Sequence, residues 1–163
     1  MSNATAWILD CGDEAVIAVS AFNMLHVVED AALRFKVPLT PAHCSEVLVW
    51  QQRVLPVIDL ELLLRRHATV SQKNHSCVLG WLCPGDITEY GILATRTSPQ
   101  RILVTDDKSR TPSAALADVW RGVALGFFEY QNKLIPIADP ALVFGSSQVT
   151  ASSRAPTALG QIA

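Results

Sequence analysis

Val54-Leu55-Pro56-Val57-Ile58-Asp59-Leu60-Glu61-Leu62-Leu63-Leu64 decides the fold of this chain, because the chain carries it twice. Eighty positions on stands Leu134-Ile135-Pro136-Ile137-Ala138-Asp139-Pro140-Ala141-Leu142-Val143-Phe144. The match extends backwards, since Trp50-Gln51-Gln52-Arg53 answers Tyr130-Gln131-Asn132-Lys133. Each copy predicts a strand, a turn with a polar tip, a second apolar strand broken by one proline, and an aspartate. That aspartate is placed to cap the short apolar helix that follows, by accepting from an unpaired N–H. Two units make a duplicated domain rather than a solenoid, which needs three or more.

Outward from the repeat, the chain reads as further strands. Residues 6–19 predict a hairpin turning at Gly12-Asp13. Ser20 to Leu25 predicts one or two helical turns, and His26 to Glu29 an extended segment. Leu33-Arg34-Phe35-Lys36-Val37 alternates apolar and basic residues, the period of a strand with one wet face carrying the cations. Pro56 removes a ladder donor and predicts an edge or a bulge. Residues 66–75 read as a polar linker, and Arg65-Arg66-His67 as favourable charge at a helix C-terminus. Ser76 to Cys83 and Ile87 to Ala94 pair through the Pro84-Gly85-Asp86 turn. Thr105 to Ser113 reads as loop, and 146–163 as a flexible tail. Many short strands with glycine and proline turns predict a mainly β fold, two small barrels side by side with short helices. The expected domain spans 6–145, with one lobe over about 6–66 and the other over about 76–145.

Half of the 163 residues are apolar and 17% are charged, enough for a sizeable core and few charges to cover it. Some apolar surface is therefore expected to serve a partner. A net charge of −2 without clustered cations argues against nucleic-acid binding. No apolar run reaches membrane-spanning length, and the N-terminus shows no secretory pattern. The four cysteines, at 11, 44, 77 and 83, are irregularly spaced. A cytoplasmic protein with reduced thiols, no cofactor and no metal is expected.

Catalytic constellations are sparse. His43-Cys44 pairs a base with a thiol, but neighbours on an extended chain point to opposite faces. His75, Cys77 and Cys83 cannot share one zinc along a straight strand. Asp106-Asp107 sits in a polar loop, and no glycine cluster could cradle a phosphate. Trp50, Trp81, Trp120, Phe127, Phe128 and Tyr130 lie on or beside predicted strands and belong mostly in the core. Trp50 and Tyr130 flank turns, where a ring is available to a partner.

The repeat also carries a resemblance. Val47-Leu48-Val49-Trp50-Gln51-Gln52-Arg53-Val54-Leu55-Pro56-Val57-Ile58-Asp59-Leu60 resembles the signature of the CheW family, coupling proteins of bacterial chemosensory arrays. Gly12-Asp13-Glu14, Val37-Pro38 with Pro41, Arg121-Gly122-Val123 and Ile135-Pro136-Ile137-Ala138-Asp139 resemble its other sections. The resemblance implies two pseudo-symmetric SH3-like β-barrels and no enzyme activity. It implies a role as scaffold between a CheA-type histidine kinase, met on apolar strand surfaces, and chemoreceptor tips, met in the groove between lobes. Three departures stand out. The family's Arg-Gly falls on Gln51-Gln52, the Glu often found after its second strand falls near Leu25, and the Val-Asp of its second lobe falls near Ala94-Thr95. The departures make this a divergent member; that it belongs to a chemosensory system controlling type IV pili and twitching motility is an expectation from the resemblance alone.

The expected partner-binding residues are Val49, Trp50, Gln51, Gln52, Arg53 and Val54, with Tyr130 at the second turn. Two rival readings stand beside the adaptor. One is a small-molecule sensor with a pocket between the lobes lined by Trp81, Leu93 and Phe128. The other is an enzyme using His43 and Cys44.

Overall fold

Alternating apolar residues and tight turns build twelve strands among the residues described by the computed structural model, 2–64 and 71–145. They are β1 (Asn3–Asp10), β2 (Val16–Ser20), β3 (Met24–Val28), β4 (Arg34–Lys36), β5 (Glu46–Trp50) and β6 (Arg53–Ile58). Then come β7 (His75–Cys83), β8 (Ile87–Thr95), β9 (Gln100–Thr105), β10 (Ser109–Arg110), β11 (Ala124–Tyr130) and β12 (Lys133–Ala138). Helices are short: α1 (Leu60–Leu63), α2 (Ala114–Val119) and α3, of which residues 140–145 are described. Arg65-Arg66-His67, the first half of the expected linker (66–70) and the expected tail lie outside the described residues.

The strands form two six-stranded sheets, ordered β10-β11-β12-β2-β1-β9 and β4-β5-β6-β8-β7-β3. Written this way the sheets correspond strand for strand. In each, a hairpin of the repeat (β11–β12 or β5–β6) lies parallel to the second strand of another hairpin (β2 or β8). That second hairpin is antiparallel to an edge strand (β9 or β3). The register matches too: Glu129 faces Leu134 as Val49 faces Val54, and Phe127 faces Pro136 as Val47 faces Pro56.

This arrangement corrects the expected lobes. One sheet takes all of β3–β8, while the other joins the N-terminal hairpin β1–β2 to β9–β12. The boundary near 66–75 therefore falls within a sheet, not between two. The parallel ladder explains this. β12 needs a partner on its open side, and β2 supplies it at Ala18, facing Ile137.

Both repeat hairpins turn through two residues of positive φ: Gln51 (46°) and Gln52 (63°), Gln131 (48°) and Asn132 (59°). That is the two-residue hairpin geometry whose twist suits flanking strands. Asp59 and Asp139 cap as expected. Asp59 Oδ1 accepts from Leu62 N at 3.3 Å, and Asp139 Oδ1 from Ala141 N at 2.9 Å. Pro56 is not on an edge, since β6 lies between β5 and β8; its parallel ladder with β8 begins only after the proline, at Val57. Ser20 to Leu25 forms a turn and the start of β3 rather than helical turns, because Gly80 N–H donates to Asn23 O at 2.9 Å and holds that segment to β7. Thr105 to Ser113 carries a 3-10 turn at Asp106–Lys108 and the strand β10 in place of a loop.

The core has three parts. Leu48, Leu55, Val57, Val78 and Ile92 fill one curled sheet, while Ala18, Phe128 and Ile135 fill the other. Leu9, Ile17, Ile58, Leu79, Leu93 and Phe144, among others, fill the space between them. A buried ion cluster also joins the sheets. Lys73 Nζ lies 2.7 Å from Glu61 Oε2 and 3.0 Å from Asp59 Oδ2. Glu61, on α1, also accepts from Asp13 N at 2.9 Å, in the β1–β2 turn of the other sheet. Gly12, at φ 148°, lets this carboxylate approach, since a Cβ there would overlap it. Burial works to raise the Glu61 pKa, but the hydrogen bonds from Lys73 and Asp13 outweigh it and hold the carboxyl below its usual range.

Candidate interaction surface

Side chains alternate across β5 and β6, so Leu48, Trp50, Leu55 and Val57 point into the barrel. Val49 and Val54 point out and are 54% and 66% exposed. Phe35, on the adjacent β4, faces Val47 in register and is 60% exposed. Phe35, Val47, Val49, Val54 and Pro56 thus share one outward face.

The alternation in Leu33–Val37 was expected to bury the apolar side and wet the cations. The reverse holds for its central residues. Arg34 turns in, with Nε donating to Ser76 Oγ at 2.9 Å and NH1 3.5 Å from Glu46 Oε2, so Leu33 and Phe35 are left outside. The guanidinium ties the edge strand β4 across the barrel to β7, a demand the local sequence does not announce.

The second copy treats the same positions differently. Arg110 faces Phe127 as Phe35 faces Val47, and Glu129 occupies the place of Val49. Arg110 Nε donates to Glu129 Oε2 at 3.0 Å, so this face carries an ion pair. Leu134, in the place of Val54, is only partly exposed and packs on the central core with Leu116 and Val119 of α2.

The other expected site residues separate. Trp50 and Arg53 lie beside Tyr90, the rings 5.6 Å apart and the guanidinium 5.0 Å from the Tyr90 centroid. Gln51 and Gln52 form the exposed tip. Tyr130 belongs to the other sheet, half-buried against that barrel's core, and does not join the surface of Val49 and Val54.

Next to the Gln51 tip lies an open cleft of about 570 Å³ lined by Phe22, Leu25, Trp50, Gln51, Leu82 and Tyr90, among others, none of them charged. Phe22 is 95% exposed. Trp81, Leu93 and Phe128, expected to line one pocket between the lobes, do not come together around a cavity among the described residues. Leu93 is wholly buried in the central core, and Phe128 is buried in the other barrel. Trp81 stacks on Phe144 at 4.8 Å within that core and also borders the open cleft.

Chemistry suited to catalysis is weak. Burial pushes the Cys44 thiol up, away from thiolate. It pushes Cys77 up to about 11 and Cys11 well above the ordinary range. Among the described residues no cluster of three or more His, Cys, Asp or Glu could hold a metal. None of their helices is long and apolar enough to cross a membrane.

The family model for the CheW-like domain matches residues 7–148, nearly the whole chain. The chain belongs to the CheW-like family. Its fold agrees. Among solved structures it is similar to the scaffolding protein TtCheW from Thermoanaerobacter tengcongensis, with a TM-score of 0.67 and 17% identity. The match covers 86% of this chain and 92% of that one. No curated protein sequence matches the chain closely enough to count as a relative. Leu25 and Gln51 border the same cleft. Sequence reasoning missed Phe35, Phe22 and Leu82 as surface residues. Each is apolar, and only the fold tells which face of its strand or turn is wet.

Proposed function

We propose that this chain is a non-enzymatic cytoplasmic adaptor that couples chemoreceptors to a CheA-type histidine kinase. The kinase docks on the outward face of β4–β6, at Phe35, Val49 and Val54. One observation carries the reading. In the places of Phe35 and Val49 the chain's other copy has a water-facing ion pair, and in the place of Val54 a partly buried leucine, whereas this copy leaves all three apolar side chains exposed. Exposing them has no structural reward, and covering them gains roughly 25 cal/mol per Å² before ordering costs.

The chemoreceptor tip lies in the cleft beside Gln51. With leucine and glutamine in place of the family's acid and arginine, that contact rests on apolar and aromatic packing, without charge-assisted bonds. Output through type IV pili and twitching motility is the assignment we favour for a member with this altered tip.

The test is binding of the regulatory domain of a CheA-type kinase from the same cells. Val54→Glu should weaken it at least tenfold while the melting temperature stays within about 2 °C, because the side chain is exposed. Unchanged affinity would remove this face from the interface.

A further inference from the structure

The internal repeat supplies a counterpart for the cleft beside Gln51. In β7–β8, Tyr90 faces Gly80, two residues before Ile92, which meets Val57 of β6. In β1–β2, Val16 faces Asp10, two residues before Ala18, which meets Ile137 of β12. The two corners are therefore equivalent, and each lies beside a repeat turn. The second corner holds about 230 Å³ and carries Asp10 and Lys133. The first holds about 570 Å³ and, among the described residues, carries no charged side chain. Two features set it apart. Gly80 stands where Asp10 stands, and a Cβ there would lie 2.8 Å from Leu25 Cδ1. The β7–β8 ladder also continues to Cys83 and Ile87, whereas β1–β2 stops at Asp10 and Val16. The extension brings Leu82 and Thr88 into the lining.

This lining narrows the class of ligand. A charge laid against rings and leucines would lose its water and find no partner, so the part of the ligand that enters is uncharged. The cleft is open, and Phe22 beside it is 95% exposed, so it cannot wrap most of a small metabolite's surface. An open cleft of this kind suits a length of chain. The rings of Trp50 and Tyr90 incline at 51° with centroids 5.6 Å apart, and Gln51 and Thr88 add uncharged donors beside them. A helix satisfies its own carbonyls, and an added strand needs the backbone of a sheet edge. A polyproline II segment has no internal hydrogen bonds, leaves its carbonyls open to donors and docks in grooves lined by aromatic rings.

We propose that the cleft binds an uncharged, proline-rich segment of a partner in the polyproline II conformation, with its prolines against Phe22, Trp50 and Tyr90 and its carbonyls bonded by Gln51 and Thr88. The proposal does not rest on the adaptor reading. In an adaptor, the segment and the chemoreceptor tip would occupy the cleft in turn.

The probe is decaproline, titrated onto the full chain and followed by amide resonances. Shifts should centre on Leu25, Gln51 and Tyr90 and saturate below about a millimolar. Leu82→Lys sets a charge in the lining and Phe22→Ser removes a ring. Both side chains are exposed, so each variant should keep its melting temperature and bind roughly tenfold more weakly. A glycine-serine peptide of equal length should leave the cleft amides unmoved. Overturning results are no saturation at millimolar decaproline, shifts as large at Tyr130 and Lys133 of the second corner, or equal binding by the two variants. Equal binding of the glycine-serine peptide also overturns it, since any extended chain would then serve.

Discussion

Replacing Lys73 by methionine removes the cation from the cluster that joins the two sheets and leaves Glu61 with no cationic partner among the described residues. The Lys73 and Glu61 side chains are 3% and 4% exposed, so water cannot take over the role. Breaking a buried pair on one side costs roughly 3–5 kcal/mol. Glu61 has one escape, which is to take up a proton. From an ordinary carboxyl pKa of about 4.3, protonation at pH 7 costs about 2.7 units at 1.36 kcal/mol each, near 4 kcal/mol. At pH 5 the same escape costs about 1 kcal/mol. The loss caused by Lys73→Met should therefore be about 4 kcal/mol at pH 7 and shrink to about 1 kcal/mol at pH 5. In the native protein the sign is opposite. The folded pKa of Glu61 is depressed, so its contribution is present above the ordinary carboxyl range and fades as pH falls through the lower folded value. Urea unfolding of both proteins at the two pH values decides the matter. A loss of the same size at both would mean that Lys73 acts through packing of its methylenes, and the charge argument would fail.

Three further predictions follow from particular residues. Glutamine at two positive-φ positions is strained relative to Asn-Gly, so Gln51→Asn with Gln52→Gly should stabilise the chain by roughly 1 kcal/mol in thermal melts, without altering the sheet signal in circular dichroism. A methyl at Gly91 would overlap the Phe144 ring, which is held by its stack on Trp81, so Gly91→Ala should cost about 1–3 kcal/mol in urea unfolding; a neutral result would show that the ring moves freely. With its pKa near 11, buried Cys77 should resist thiol reagents in the folded protein at pH 8 and react only on unfolding, and fast native labelling located at Cys77 by mass spectrometry would contradict its burial.

The duplication, both hairpins, their two-residue turns and the capping aspartates were legible because each is local. Eighty residues of offset carry the same register, and turn and cap chemistry act within four positions. The sharing of strands between sheets was not legible. It depends on which hairpin completes a parallel ladder of one or two residue pairs, β2 with β12 and β8 with β6, and no short window records that. The site was legible in part. Val49 and Val54 were placed on the surface hairpin, but Phe35 was assigned inward by an alternation that Arg34 inverts when it reaches Ser76 and Glu46. Tyr130 was grouped with Trp50 by sequence equivalence, and that same equivalence puts it in the other sheet.

A duplicated fold gives a scaffold a problem that its two hairpin faces resolve. If both copies exposed the same apolar surface, each molecule would offer two like docking sites, and contacts that do not close on themselves propagate into chains. One way out is to break the symmetry. Here the second copy sets Arg110 against Glu129 and packs Leu134 on the central core, which makes its face poorer for apolar partners. The first copy stays greasy at Phe35, Val49 and Val54. The asymmetry lies in three outward side chains and how they are covered, while the register beneath is unchanged. A second polar face and a single apolar one would let the chain join one kinase at a defined place, and would leave the cleft beside Gln51 to a different partner.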